Sequence, residues 1–106
     1  MTSRAAILGT GSWGTALASI LASKVDKVCM IGRNQKTVDE INNSNTNHHY
    51  IPGETLAANI CATTNLEQAK DYPIVFFVVP TSATDKTARK LSEIGLPKET
   101  ILVSCA

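Results

Sequence analysis

Apolar and polar positions fall in blocks along this chain. Ala5-Ala6-Ile7-Leu8 is a short apolar run that stops at a glycine cluster, and from Trp13 onward Leu17, Ile20 and Leu21 recur at helical spacing. The opening therefore reads as strand, tight turn and helix. Lys27-Val28-Cys29-Met30-Ile31 is a second apolar run, ended by Gly32, and Val38 and Ile41 mark the inner face of a short helix from Thr37 to Asn43. Between Asn42 and Asn59 the pattern dissolves into Asn, Ser, Thr and His, followed by Tyr50-Ile51-Pro52-Gly53, a turn-rich stretch longer than most connections. Ile60-Cys61-Ala62-Thr63-Thr64 predicts a brief strand, with Thr64 or Asn65 capping a one-turn helix through Lys70.

Ile74-Val75-Phe76-Phe77-Val78-Val79 has no polar alternation and suits a strand covered on both faces in a parallel sheet. Pro80 should end it, and Thr81 or Ser82 should cap a helix whose inward side is Ala83, Thr87, Ala88, Leu91 and Ile94. Gly95 and Pro97 close that helix, and Thr100 to Ser104 forms a fifth strand. Strand and helix alternate throughout, and parallel neighbours need crossover connections that helices supply. The predicted fold class is α/β, a doubly wound parallel sheet of about five strands.

The glycine cluster carries the chemistry. Gly9-Thr10-Gly11-Ser12-Trp13-Gly14 matches G-x-G-x-x-G, and its place between first strand and first helix makes it the phosphate turn of a Rossmann-like, dinucleotide-binding fold. Gly9 permits the tight turn, Gly11 removes a side chain that would hold the backbone off the pyrophosphate, and Gly14 lets helix and strand pack closely. Exposed N–H groups and the positive helix end then face the phosphates. The second strand ends in Gly32-Arg33-Asn34, where an NAD site commonly has Asp or Glu for the ribose 2′-hydroxyl. A guanidinium instead bonds a 2′-phosphate, so NADPH is the expected cofactor, with NADH the alternative.

Composition narrows the picture further. With 106 residues, 43% apolar and 18% charged, the chain is that of one ordinary domain, long enough to bury a core without disulfides or metal. A net charge of +1 and the lack of any Lys/Arg run offer nucleic acid or an anionic membrane no broad attraction. The apolar stretch before Gly9 is too short for a signal-peptide core or a membrane span, which makes the cytoplasm the expected compartment. Cys29, Cys61 and Cys105 read as small buried thiols rather than a disulfide framework. His48 and His49 have neither cysteine nor carboxylate at ligand spacing and predict an exposed loop, with no metal site. Ser82 has no candidate base near it, so hydrolase chemistry is not expected.

The run from Gly9 to Ala18 closely resembles the opening of bacterial-type NAD(P)-dependent glycerol-3-phosphate dehydrogenases. So do Gly32-Arg33-Asn34, Ile41-Asn42, Tyr50-Ile51-Pro52-Gly53, Ala62 to Glu67, Val79 to Ala83 and Val103-Ser104-Cys105-Ala106. The resemblance implies that Ser12 and Trp13 touch the cofactor phosphates, that Arg33 faces the adenosine ribose or its 2′-phosphate, and that Tyr50 lies along the cofactor cleft. It also implies that residues 1–106 are a dinucleotide-binding domain whose sheet is incomplete at its C-terminal end. The family's catalytic lysines and its helical substrate domain would lie beyond it, so this stretch would bind cofactor without catalysing. The complete enzyme, a candidate homodimer, would interconvert dihydroxyacetone phosphate and sn-glycerol 3-phosphate for phospholipid synthesis. Rival readings are another two-domain dehydrogenase, of the ketopantoate or 6-phosphogluconate reductase type, and a non-catalytic NAD(H)-sensing module.

Overall fold

The computed structural model describes residues 3–78 and 81–105, with the side chains of 81–84 outside that set. Strand β1 (Arg4–Leu8) leads through the glycine turn into helix α1 (Ser12–Ala22), followed by β2 (Lys27–Ile31), α2 (Gln35–Ser44) and β3 (Ile60–Thr63). A 3₁₀ helix (Leu66–Asp71), β4 (Ile74–Phe77), α3 (Thr81–Ile94) and β5 (Ile101–Ser104) complete the order. The strands form one parallel five-stranded sheet in the order β3-β2-β1-β4-β5. The expected doubly wound α/β sheet is the observed one. Pro80 as a strand stop, Thr81 or Ser82 as a cap and the inward side chain of Ala83 all lie outside the described residues, as does Ala106.

Alternate residues of the central strands feed two apolar layers. Ile7, Val28 and Met30 face one layer with Ala18 of α1 and Val38 and Ile41 of α2. Ala6, Leu8, Cys29 and Ile31 face the other with Ala69, Tyr72 and Leu91. Both faces of β1 and β2 are covered, which is why their sequences are apolar without alternation. Only the outer strand β5 stays open, with Ile101 and Leu102 both more than half exposed.

Two helix faces differ from the pattern expected. Along α1 the buried stripe is Gly14, Thr15 and Ala18, while Ile20 is exposed and Leu17 and Leu21 pack only partly. Small residues one turn apart bring the helix axis close to the sheet, and the larger side chains are pushed to the flanks. On α3, Leu91 is buried and Thr87 and Ile94 are half-buried, but Ala88 is exposed.

The caps follow the sequence more closely. Asn34 accepts from the Lys36 and Thr37 N–H groups to start α2, and Asn65, not Thr64, accepts from Glu67 N–H at the 3₁₀ helix. Helix α2 ends where Asn45 turns left-handed at φ 54°, and α3 ends at Gly95, whose N–H returns to Leu91 O at 3.1 Å.

Candidate functional site

A cleft of about 550 Å³ opens at the carboxyl ends of the strands, bordered by Leu8 of β1, Ile31 of β2, Val78 after β4 and Cys105 after β5. The chain crosses from β3 on one side of β1 to β4 on the other, so the cleft lies at the reversal of strand order, where such sheets hold ligands. All seven expected cofactor residues line it: Gly9, Gly11, Ser12, Trp13, Gly14, Arg33 and Tyr50.

The glycines of the turn do different things. A Cβ on Gly9 would stand 2.3 Å from the Val78 carbonyl oxygen, and one on Gly14 would stand 2.5 Å from the Gly9 carbonyl oxygen. Those two positions are closed by the protein itself. Around Gly11 the nearest atom to such a Cβ is Tyr50 Cε1 at 3.9 Å, an ordinary contact, so the protein leaves that space open towards the cleft. A Cβ on Gly32, just after β2, would stand 2.5 Å from the Thr10 side chain, so a bare glycine there lets the turn pack against the strand end.

Helix α1 begins at this point. Its first backbone bond runs from Thr15 N–H to Gly11 O at 2.9 Å, which leaves the N–H groups one turn earlier for an outside acceptor. Arg33 and Lys90 supply positive charge to the lining, and neither Asp nor Glu lines the cleft among the described residues. Helix end, open backbone and two cations all suit an anionic, extended ligand. Trp13 is 59% exposed on the rim, less a lid over the helix than a wall of the cleft.

Sequence reasoning passed over several lining residues. Thr87, which helical spacing did put on the inward side, and Lys90 come from α3, while Thr64 comes from the turn after β3 and Leu66 opens the 3₁₀ helix. It also passed over Asn47, fully buried behind the turn. The loop holding it is ordered by Glu40, whose Oε2 accepts from the Thr46 hydroxyl at 2.7 Å and the His48 backbone N–H at 2.9 Å. His48 Nδ1 lies 2.7 Å from the same oxygen. A carboxylate does therefore stand against His48, contrary to the spacing argument. The backbone N–H of His48, then the Thr46 hydroxyl, hold the Glu40 carboxyl below its ordinary range.

The cysteines are less uniform than expected. Cys29 is buried, whereas Cys61 and Cys105 are half-buried, and all are free thiols. Cys29 and Cys61 are register partners on β2 and β3 and point to one face. The neighbouring Cys29 thiol, and after it the Lys27 charge, favour the Cys61 thiolate, whose pKa is pulled down to about 6. Cys29 is pushed up by the same contact and by burial. In the folded chain, iodoacetamide should therefore label Cys61 at pH values well below the usual thiol range, because the thiolate is the nucleophile. Cys29→Ala removes that neighbour and should move the Cys61 profile upward. Peptide mapping of labelling against pH reads both, and a Cys61 profile centred near an ordinary thiol would contradict the pairing.

Comparison with known proteins bears on this geometry. A sequence profile described as NAD-dependent glycerol-3-phosphate dehydrogenase N-terminus matches residues 4–106. The chain is 45% identical over 94 residues to a glycerol-3-phosphate dehydrogenase [NAD(P)+] of Enterococcus faecalis, covering 88% of this chain and 28% of that protein. Identity to the protein of the same description from Halothermothrix orenii is 41% over 107 residues, covering 100% of this chain and 31% of that one. The crystal structure of glycerol-3-phosphate dehydrogenase from Coxiella burnetii superposes with a TM-score of 0.88 at 29% identity, over 97% of this chain and 32% of that chain. The chain spans less than a third of the length of these relatives.

Proposed function

The chain belongs to the NAD-dependent glycerol-3-phosphate dehydrogenase N-terminal family, and from that premise we propose that residues 1–106 form a domain that binds NADPH, or less tightly NADH, across the first strand–helix turn. The observation that carries this is the contrast within the turn: Gly9 and Gly14 are closed by protein atoms, while Gly11 is left bare towards the cleft. A backbone kept clear of side chains beside a helix start is what a pyrophosphate needs.

The residues fit such a cofactor. Gly11 and the first turn of α1 would receive the pyrophosphate, Trp13 and Tyr50 would wall the cleft, and Arg33 at the end of β2 would meet the adenosine ribose. The nicotinamide supplies the hydride. What the chain itself does is bind and orient: its dipole and cations fix the anionic middle of the ligand, and its apolar walls exclude water from it. In the complete enzyme the reaction would be the reversible reduction of dihydroxyacetone phosphate to sn-glycerol 3-phosphate, in the cytoplasm, by a homodimer whose substrate grip and catalytic lysine lie outside these residues. Family membership favours this over the other two-domain dehydrogenases and over an NAD(H) sensor.

Arg33 tests the cofactor assignment. It is exposed on the cleft lining, where its planar fork can bond a 2′-phosphate. Hydrogen bonds to charged groups contribute about 1.5 to 3 kcal/mol, with the lower end appropriate to an exposed edge, so Arg33→Ala should weaken NADPH roughly tenfold while NADH changes little. Arg33→Asp should move the ratio further by adding repulsion, and the effect should shrink as salt rises. Calorimetry with both cofactors on the three proteins measures this. An unchanged affinity ratio would place the ribose elsewhere.

A further inference from the structure

The loop after α2 reaches back under the glycine turn through the side chain of Asn47. The side chain of Asn47 is 1% exposed, and its Nδ2 donates to the Thr10 carbonyl at 2.9 Å and to the Thr15 hydroxyl at 3.0 Å. The Thr15 hydroxyl passes its own hydrogen to the Gly11 carbonyl at 2.7 Å. Both hydrogens of the Asn47 amide are thus spent on the turn. Its carbonyl oxygen, equally buried, meets no protein donor among the described residues. Flipping the amide would not help, because that oxygen would then face the Thr10 carbonyl, acceptor against acceptor. The two bonds that the buried amide does make both go to the glycine turn and the start of α1.

The backbone of the same residue holds the other side of the cleft. Asn47 O accepts from Tyr50 N–H at 3.2 Å and Ile51 N–H at 2.8 Å, and Ser12 Oγ closes the ring by donating to Tyr50 O at 3.2 Å. The side chain of Asn47 thus holds the turn and the helix start, and its backbone carbonyl, with Ser12, holds the tyrosine wall. We propose that Asn47 is a positioning residue for the dinucleotide: its side chain fixes the Thr10 and Gly11 peptides in the orientation that leaves the following N–H groups aimed at the pyrophosphate, beside a tyrosine wall held by its backbone carbonyl. This rests on the cofactor reading above. Asn47 does not line the cleft and acts through the residues that do.

A matched control separates positioning from plain stability. Asn59 is likewise an amide anchor, donating to the Ala22 carbonyl at 2.8 Å and the Val25 carbonyl at 3.1 Å, but it lies at the opposite end of the sheet from the cleft. In the full chain, Asn47→Ala should weaken NADPH about tenfold, whereas Asn59→Ala should lower the melting temperature yet leave NADPH within about twofold of wild type. Asn47→Ser, which keeps a shorter donor, should fall between. Hydrogen exchange on the unmutated chain gives a second reading that needs no variant to fold: NADPH should raise protection of residues 10–15 and 45–51 together. Failure of wild type to bind NADPH would remove the cofactor reading itself. Binding by wild type, with equal Kd for the two alanine variants or with protection confined to 10–15, would overturn the role of Asn47 alone.

Discussion

Gly11→Ala is expected to leave the fold standing and remove the cofactor. Gly11 has φ −75° and extended ψ, a conformation that alanine adopts freely, and an added methyl would meet nothing closer than Tyr50 Cε1 at 3.9 Å. Alanine is a poorer helix cap than glycine, but it also lowers the entropy of the unfolded chain, and these effects of under about 1 kcal/mol oppose each other. The methyl instead occupies the space where the backbone must approach the pyrophosphate. Overpacking of that kind, with the N–H contacts it lengthens, costs about 3 kcal/mol, or roughly a hundredfold in affinity. Calorimetry with NADPH beside a thermal melt measures both halves. A Gly11→Ala protein that binds as tightly as wild type would show that no phosphate comes near this backbone.

The other two glycines should behave in the opposite way. Gly9 has φ +129°, which side chains rarely adopt, and its Cβ would press on a backbone oxygen, as would that of Gly14. Backbone cannot step aside as a flexible side chain does, so either alanine must lift α1 from the sheet or part β1 from the segment after β4. Losses of this class reach about 3 to 5 kcal/mol, against about 5 to 15 kcal/mol for a whole domain of this size. The melting temperature should fall by roughly 15 °C or more for Gly9→Ala and for Gly14→Ala, with urea midpoints moving in parallel. Melts within a few degrees of wild type would mean that the turn is looser than its contacts indicate. Within one motif, two glycines then report folding and one reports binding.

How much of this could be read from the sequence depends on what kind of signal each feature leaves. β1, β2 and β4 are apolar because both faces are covered, and the glycine turn is recognisable because each glycine answers to a steric demand fixed by strand–turn–helix geometry. Asn47 left no such trace. It sits in a run of Asn, Thr and His whose polarity signals an exposed loop, and only tertiary contacts with Thr10 and Thr15 bury it. Ile20 misled for the reverse reason, since apolar spacing marks a helix but cannot say that Gly14 and Ala18 take the inner stripe. The pairing of Cys29 with Cys61 and the approach of Lys90 to the cleft depend on strand register and helix placement, which periodicity does not encode.

The position of β1 between β2 and β4 makes the phosphate turn depend on both halves of the chain. Strands β1, β2 and β3 with their helices are contiguous in the chain, whereas the remaining edge of β1 is filled by residues from the far half. The docking of β4 brings Val78 N–H to Leu8 O at 2.9 Å and sets the Val78 carbonyl against Gly9. Until then the phosphate turn has no floor on one side. Competence to hold a dinucleotide therefore requires β4 in place, and a ligand that binds only the finished turn draws the equilibrium towards chains in which β4 has docked. In the cell, cofactor supply would then influence how much of this domain survives as folded protein as well as how much of it is at work.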